Sequence, residues 1–230
     1  MSFFLFVAFA FCASVGAVEI VNYGIPGASS QVLLKRELPK ALQQNPELAI
    51  VFIGTNDMIN SKILTPPETY EKNIRLTINE LQKAKCEIIL VTVPPCNEEL
   101  LFQRHKQEAY GELMPNSRID HANEIIKKLA AEYKLSLVDF ASVFKEHGTS
   151  GKDSLIRNPA NRGGKDGVHP NAAGYRKLAE MIKSEIDRLK LRCERVACLG
   201  DSITYGVGVT GHGTATGDTY PGVLKQLLSQ

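Results

Sequence analysis

The sequence predicts a single three-layer α/β/α domain with a mainly parallel sheet at its centre. Strand-like apolar runs alternate with helix-like segments through the chain, which is the pattern of a parallel sheet covered by helices on both faces. Two of these runs, 48–53 and 88–93, are apolar without interruption, as strands buried on both faces are. The length of 230 residues suits one such domain, and neither a repeat nor a linker divides it.

The first half of the chain predicts three strands and three helices. A strand over 18–22 is followed by two serines that can cap a helix, and Pro39 starts a second short helix. The strand over 48–53 precedes a helix that is opened by residues 65–68 and carries apolar side chains at helical spacing. The next strand covers 88–93 and ends at two prolines.

The second half continues the alternation, with one irregular interval. The segments predicted there are, in order, a helix from about Arg118, a strand over 135–140, a polar Gly/Asn-rich stretch over 141–165, a helix from Asn171, a strand over 195–199 and a helix over 219–228. The polar stretch shows no clear period, so no element is predicted within it.

Composition excludes several classes of protein. Hydrophobic residues make up 43% and charged residues 23% of the chain, which is typical of globular domains and not of disordered ones. The formal net charge is +2, and no run of Lys and Arg interleaves with aromatic residues, so no nucleic-acid partner is expected. Both ends are poor in charge: residues 1–34 carry one charged side chain, and residues 196–230 carry three.

Residues 1–17 are predicted to be a secretory signal peptide. The run over 3–13 is apolar, and small residues after it suit cleavage behind Ala17. The run is shorter than the roughly 20 apolar residues of a membrane span, so stable membrane insertion is not expected. No Lys or Arg precedes the run, which leaves a buried strand or an artefact of the reading frame as alternatives. The prediction places the domain, residues 18–230, in a secreted or periplasmic protein.

The spacing of the five cysteines matches no zinc-binding pattern, so no metal is predicted. Cys12 lies in the predicted signal peptide. Cys198 lies within a strand-like apolar run and is interpreted as a buried free thiol. The other three are Cys86, Cys96 and Cys193, and two of them can pair in an exported chain.

Two short clusters contain the residue types of a nucleophile and its base. A Gly-Asp-Ser sequence that ends at Ser202 directly follows the strand over 195–199, at the edge where open α/β sheets bind ligands. Asp166 and His169 stand three residues apart on a glycine-containing turn, so one loop can present a general base and the carboxylate that orients it. Capping of the helices that follow is the alternative interpretation of both clusters.

Two further clusters place hydrogen-bond donors at strand ends. Asn56, in a Gly-Thr-Asn-Asp sequence after the strand over 48–53, carries an amide that can donate to a developing oxyanion. The segment 22–29 contains Gly24 and Gly27, and a glycine allows a backbone N–H to approach a substrate closely. Each cluster alone is also typical of a turn. Together, the four clusters supply the residue types that an acyl-transfer site needs at one edge of the sheet.

The four clusters resemble the signature blocks of the SGNH, or GDSL-like, hydrolase superfamily. The resemblance is carried by GDSIT, GTND, DGVHPN and the glycine within NYGIPGAS, and it covers essentially residues 18–230. It implies a flavodoxin-like α/β fold in which Ser202 is the nucleophile. His169 is then the general base, and Asp166 is the carboxylate that orients it.

The same resemblance implies an oxyanion hole with three donors. These are the backbone N–H of Ser202, the backbone N–H of Gly27 and the side-chain amide of Asn56. Gly27 is preferred to Gly24 because the glycine of the family pattern stands five residues after an asparagine and just before a small polar pair.

The order of the blocks differs from that of the family, whose members ordinarily begin with the serine block. Here the order is Gly27, Asn56, Asp166, His169 and then Ser202. The chain is therefore interpreted as circularly permuted, with the serine block over 196–230 last and the former ends joined by residues 191–194. This interpretation predicts a monomer whose first and last strands are sheet neighbours. A fragment of a tandem array and a gene-model error are the alternatives.

The predicted reaction is hydrolysis of a carboxylic ester through an acyl-enzyme, without a cofactor. By analogy with exported members of the family, the expected substrate is a small-molecule or carbohydrate ester with an acetyl or other short acyl group. The Gly- and Thr-rich stretch over 204–219 agrees, because it has no apolar stripe for a long acyl chain. A lysophospholipase or acyl-thioesterase is one alternative, and a non-catalytic carbohydrate-binding module on the same fold is another.

Overall fold

Five parallel strands form the central sheet in the computed structural model, which describes residues 18–230. The strands are β1 (Glu19–Gly24), β2 (Leu48–Phe52), β3 (Glu87–Val91), β4 (Ser136–Val138) and β5 (Arg195–Gly200). Their order in the sheet is β1-β5-β2-β3-β4, and every pairing is parallel. The α/β class and the parallel sheet predicted from the sequence are therefore confirmed. The predicted signal peptide over 1–17 lies outside the described residues.

The helices of the described residues are short around the sheet edge and long on its faces. Their bounds are α1 (Ser30–Val32), α2 (Leu38–Leu42), α3 (Thr55–Ile59), α4 (Pro67–Lys83), α5 (Glu98–Leu101), α6 (Pro115–Tyr133), α7 (Phe144–His147), α8 (Ala172–Leu189), α9 (Ser202–Tyr205) and α10 (Tyr220–Leu228). A π-helical turn, Leu33–Glu37, joins α1 to α2, so these three segments form one continuous helical stretch.

Two apolar cores, one on each face of the sheet, hold the layers together. The first core packs α4 and α6 against alternate residues of β2 and β3, with Tyr70, Ile74, Ile78 and Leu81 of α4 fully buried, as their spacing predicts. The second core packs α8 and α10 against the opposite residues of the same strands. Burial on both faces is the reason that β2 and β3 are apolar without a break.

β1 and β5 are neighbours at one side of the sheet, although 170 residues separate their ends in sequence. Ile20 lies opposite Val196, and the register continues to Gly24 opposite Gly200. β5 pairs with β2 on its other side, so it occupies an interior position. The expectation that the first and last strands are sheet neighbours is confirmed.

Several elements differ from the sequence predictions, and their lengths explain why. The stretch over 141–165 contains α7, a 3₁₀ turn at Pro159–Asn161 and an isolated antiparallel bridge between Ile156 and Pro170. α3, α5 and α9 have four or five residues each, which is too few for a helical period to appear in the sequence. α6 begins at Pro115, three residues earlier than predicted, because proline suits the first turn of a helix.

The four cysteines within residues 18–230 are free thiols, and Cys198 is fully buried in β5, as predicted. Burial raises the pKa of the Cys198 thiol to about 12. In the same range of residues, no helix combines the length and the apolar character needed to cross a bilayer.

Candidate active site

Ser202 is positioned by a sharp transition from strand to helix at the end of β5. It is the first residue of α9, and Asp201 before it accepts a hydrogen bond from the backbone N–H of Ile203 (2.9 Å), which caps that helix. Gly200 is required at the bend, because a Cβ there would collide with the Thr204 side chain. Both interpretations of the Gly-Asp-Ser cluster therefore hold at once: Asp201 caps a helix, and Ser202 lies at the carboxyl edge of the sheet.

Ser202, His169 and Asp166 form a continuous hydrogen-bonded chain. The distance between Ser202 Oγ and His169 Nε2 is 2.9 Å, and His169 Nδ1 lies 2.9 and 3.0 Å from the two Asp166 oxygens. An ionised carboxylate only accepts hydrogen bonds, so Nδ1 carries the imidazole proton and Nε2 is left as an acceptor for the Ser202 hydroxyl. This is the tautomer in which an imidazole can remove a proton from serine.

Asp166 is kept ionised by its surroundings. Burial acts to raise the pKa of its carboxyl, but hydrogen bonds and charge from His169 outweigh this effect, with help from the backbone N–H of Val168, and lower the pKa to about 2. The backbone N–H groups of Val168 and His169 both donate to Oδ1, at 3.0 and 2.9 Å. Backbone donors of the turn therefore hold the Asp166 side chain in the orientation in which it meets the His169 ring.

A second segment, which the sequence left without a function, supports this turn. The N–H of Arg157 donates to the carbonyl of His169 (2.9 Å), and the N–H of Gly167 donates to the carbonyl of Arg157 (2.8 Å). The Arg157 guanidinium also contacts Asp166, with 3.1 Å between Nη1 and Oδ2. No local pattern in the sequence marks Arg157, because its role depends on a pairing across nine residues of irregular loop.

Gly27 presents an unused backbone donor near the end of β1. Its φ of +80° lies in the region that favours glycine, and its N–H has no hydrogen-bond partner within residues 18–230. Gly24, by contrast, already donates its N–H to Asn22 Oδ1 (2.9 Å), and a Cβ there would collide with the backbone of Tyr205. The two glycines therefore differ within residues 18–230: the N–H of Gly27 is free, and the N–H of Gly24 is occupied.

Asn56 lies in the first turn of α3, directly behind β2. Its Nδ2 donates one hydrogen bond to the carbonyl of Ala28 (3.1 Å), which connects this turn to the loop of Gly27 and leaves the second N–H of the amide available. Gly54 opens the turn at a φ of +138°, where a Cβ would lie 2.7 Å from the Tyr70 hydroxyl. Tyr70 in turn donates to the carbonyl of Ile53 (2.8 Å), so the end of β2 is rigidly held.

A buried polar network fixes the same two loops relative to each other. Asp57 accepts hydrogen bonds from both the N–H (2.8 Å) and the hydroxyl (2.6 Å) of Ser30, and Asn73 Nδ2 donates to that hydroxyl (3.0 Å). All three side chains are buried. Burial raises the pKa of Asp57, while the two hydrogen bonds from Ser30 act against that shift. No local sequence pattern marks this network, because its partners come from three distant segments.

A second buried carboxyl, Asp201, lies beside the nucleophile candidate. Burial raises its pKa to about 6, although the N–H of Ile203 and the charge of His169 favour the ionised form. Its Oδ2 and the hydroxyl of Thr55 are buried without a hydrogen-bond partner within residues 18–230. Ionisation of Asp201 is therefore energetically unfavourable, because it places a charge on a buried carboxyl with one unpaired oxygen.

The Ser202 hydroxyl opens into a cavity of about 260 Å³. Gly27, Asn56, His169 and Ser202 line it together, so the four residues whose donors and acceptors were predicted to cooperate face one space. Within residues 18–230, no group of three or more His, Cys, Asp or Glu side chains is arranged to hold a metal ion.

A sequence match over most of the chain shows which family it belongs to. Residues 6–177 match the model of the GDSL-like Lipase/Acylhydrolase family, and the chain belongs to that family. The predicted resemblance to this family is thereby confirmed. The matched residues end before β5, so the segment that carries Ser202 follows the matched range.

Esterases and a lipase are among the proteins to which this chain is similar. A multidomain esterase of Ruminococcus flavefaciens is 27% identical over 143 residues, which are 62% of this chain and 16% of that much longer protein. The structure of the acetyl xylan esterase AlAXEase aligns with this chain with a TM-score of 0.56 at 26% identity. The alignment covers 71% of this chain and 78% of the esterase chain. A GDSL-like lipase from Bacteroides thetaiotaomicron shares the fold, with a TM-score of 0.56 at 24% identity, covering 71% of this chain and 73% of its own.

Proposed function

We propose that the chain hydrolyses carboxylic esters through an acyl-enzyme on Ser202. The observation that carries the proposal is the hydrogen-bonded chain from Ser202 Oγ through His169 to Asp166, with both links at 2.9 Å. A carbohydrate-binding module has no use for a serine hydroxyl held against an imidazole of the basic tautomer, so we favour catalysis over binding alone.

In the proposed first step, His169 Nε2 takes the proton of Ser202 while Oγ bonds to the carbonyl carbon of the ester. The resulting tetrahedral intermediate collapses when the imidazolium gives that proton to the departing alcohol, which leaves an acyl group on Oγ. Water then repeats the sequence, with His169 as base, and releases the carboxylic acid and free Ser202. Asp166 remains ionised throughout and stabilises the imidazolium.

The negative charge of the intermediate falls on the former carbonyl oxygen. We assign its stabilisation to the N–H groups of Ser202 and Gly27 and to the free N–H of the Asn56 amide. The unoccupied donor of Gly27 and the shared cavity support this assignment. The protein orients donors of this kind before the reaction begins, so they stabilise the developing charge without further rearrangement.

The substrate we propose is an acetyl or other short acyl ester of a carbohydrate. Two features support it: the cavity beside Ser202 is smaller than the roughly 300–1,000 Å³ of typical small-molecule pockets, and a similar structure is that of an acetyl xylan esterase. A lysophospholipase or thioesterase requires room for a long acyl chain. Because a GDSL-like lipase is among the similar structures, the experiment below also includes esters with long acyl chains.

A fluorophosphonate probe and a series of p-nitrophenyl esters from acetate to palmitate test the proposal. We expect the probe to label the protein, and kcat/KM to be highest for acetate or propionate. Ser202→Ala abolishes both, whereas Ser184→Ala, on an exposed position of α8, changes neither. Labelling of Ser202→Ala at the wild-type rate contradicts the assignment. A maximum at long acyl chains favours the lysophospholipase or thioesterase.

We also propose that the unusual block order is a circular permutation and that the serine block completes the domain of its own chain. The parallel pairing of β5 with both β1 and β2 supports this. The test mixes Ser202→Ala with His169→Ala at micromolar concentrations. A monomer that carries its own serine block stays inactive in the mixture. Recovery of activity would mean that the block is exchanged between copies, as expected for a piece of a tandem array.

A further inference from the structure

One wall of the cavity beside Ser202 is positively charged. Arg104 and His105, which follow α5, line this wall, and no Asp or Glu lines the cavity within residues 18–230. Both side chains come from a segment that the catalytic proposal does not use. The wall is therefore a feature of the substrate cavity that ester hydrolysis alone does not explain.

The Arg104 guanidinium is anchored but not neutralised. It donates one hydrogen bond from Nη1 to the backbone carbonyl of Lys165 (2.7 Å), and no carboxylate within residues 18–230 lies at ion-pair distance from it. A guanidinium has five N–H donors in a planar fork, so most of them are left for another partner. The bond to Lys165 orients the fork without cancelling its charge.

His105 contributes a donor of fixed orientation to the same wall. Its Nδ1 accepts hydrogen bonds from the N–H (3.3 Å) and the hydroxyl (2.8 Å) of Ser61, so the imidazole proton is on Nε2. Partial burial lowers the pKa of His105, and the positive charges of Arg104 and Lys62 act in the same direction. These effects favour the neutral imidazole, so His105 offers an uncharged Nε2–H donor beside the Arg104 cation.

We propose that Arg104 and the Nε2–H of His105 bind a carboxylate or phosphate on the alcohol part of the ester substrate. The inference rests on the proposed ester hydrolysis. An acetyl group carries no charge, so the anionic group must belong to the alcohol, such as a sugar acid or a sugar phosphate. Because the cavity is small, the anion lies within about one sugar unit of the scissile ester.

The experiment compares matched pairs of acetyl esters at low ionic strength. One pair is an acetylated methyl glucuronoside and its carboxamide, and the other is acetylglycerol phosphate and acetylglycerol. The measured quantity is the ratio of kcat/KM for the charged member to that for the neutral member. We expect a ratio of about ten for at least one pair, which falls as added salt screens the charge. The pair with the higher ratio identifies the anion as carboxylate or phosphate.

Variants assign the effect to the wall. We expect Arg104→Gln to lower the ratio to about one and Arg104→Lys to retain part of it, since lysine keeps the charge but not the fork. Arg192→Gln is the matched control, because Arg192 is exposed and precedes β5 at the opposite edge of the sheet. A ratio near one in the wild type, or a ratio that Arg104→Gln leaves unchanged, overturns the inference. Failure to hydrolyse p-nitrophenyl acetate instead overturns the proposed function itself.

Discussion

Removal of the Ser30 hydroxyl tests whether the buried network around Asp57 holds the oxyanion-binding loops in place. In Ser30→Ala, Asp57 loses the 2.6 Å hydrogen bond from that hydroxyl, and the amide of Asn73 loses its acceptor at 3.0 Å. Each buried polar group left without a partner costs about 1–3 kcal/mol. The N–H of Ser30 still donates to Asp57, so we expect the free energy of unfolding to fall by about 2–4 kcal/mol without loss of the fold.

The effect on catalysis follows from the position of Ser30, three residues after Gly27. A looser Ser30 lets the Gly27 loop move relative to Asn56, and misplacement by about 1 Å can cost roughly 100-fold in rate. We expect kcat for p-nitrophenyl acetate to fall by about 10- to 100-fold while KM changes by less than about threefold, since the donors act mainly on the transition state. Steady-state kinetics and thermal unfolding measure the two effects.

Ser29→Ala is the matched control for this prediction. Ser29 is adjacent and buried, but its side chain makes no hydrogen bond within residues 18–230. We expect its kcat to remain within about twofold of the wild type, because it removes a hydroxyl without breaking a hydrogen bond. Equal kcat values for Ser30→Ala and Ser29→Ala would refute the reasoning. A larger effect of Ser30→Ala on KM than on kcat would refute it as well.

Three further substitutions test other parts of the site. Asn56→Ala removes one proposed oxyanion donor and is expected to lower kcat by about 100- to 1,000-fold, as measured by steady-state kinetics. Arg157→Met removes the guanidinium that contacts Asp166 Oδ2, so the carboxylate that orients His169 is held less firmly and kcat is expected to fall by about 10-fold, as measured by steady-state kinetics. Asp201→Asn removes a carboxyl whose pKa is raised from 3.8 to about 6, so that the folded state binds more protons than the unfolded state between these values. The wild type therefore loses up to about 3 kcal/mol of stability as pH rises through that window, and the variant, followed by thermal melts, does not.

Each of these three predictions has its own control. Val207→Ala changes the wall of the same cavity without removing a hydrogen-bond donor, so it distinguishes loss of a donor from a general change in shape. Arg157→Lys retains a charged donor for Asp166 and should restore part of kcat. Asp153→Asn, at an exposed site, should leave the pH dependence of unfolding unchanged. An Asp201→Asn protein that melts with the pH dependence of the wild type contradicts the linkage argument.

The sequence predicted the sheet and the long helices because their burial pattern is local. α4 and β2 were recognisable from the spacing of apolar residues alone, and all five strands appear where such runs occur. Ser202, His169 and Asp166 were predicted because each lies in a short motif next to an element that could itself be predicted. The preference for Gly27 over Gly24 came from the family pattern, and the structure supplies its physical counterpart in a free and an occupied N–H.

The supporting residues could not be predicted in the same way. Asp57 contacts Ser30 across 27 residues, and Asn73 reaches the same hydroxyl across 43 residues. Arg157 contacts Asp166 only because two stretches of irregular loop pair with each other. Such contacts depend on where the loops come together after the sheet has formed, and nothing in the neighbouring sequence distinguishes these residues from ordinary turn or surface positions.

The interior position of β5 affects how the chain assembles. β5 is translated after the other four strands and must then insert between β1 and β2. Until it does, neither of these two strands has a complete set of backbone partners on the side that faces β5. Until then, β2 exposes a row of unpaired amides and carbonyls, which is a surface prone to association with other chains. Because the closing contacts join residues far apart in sequence, slow folding is expected. The strand that brings the nucleophile candidate into the site is therefore also the one that covers the exposed side of β2.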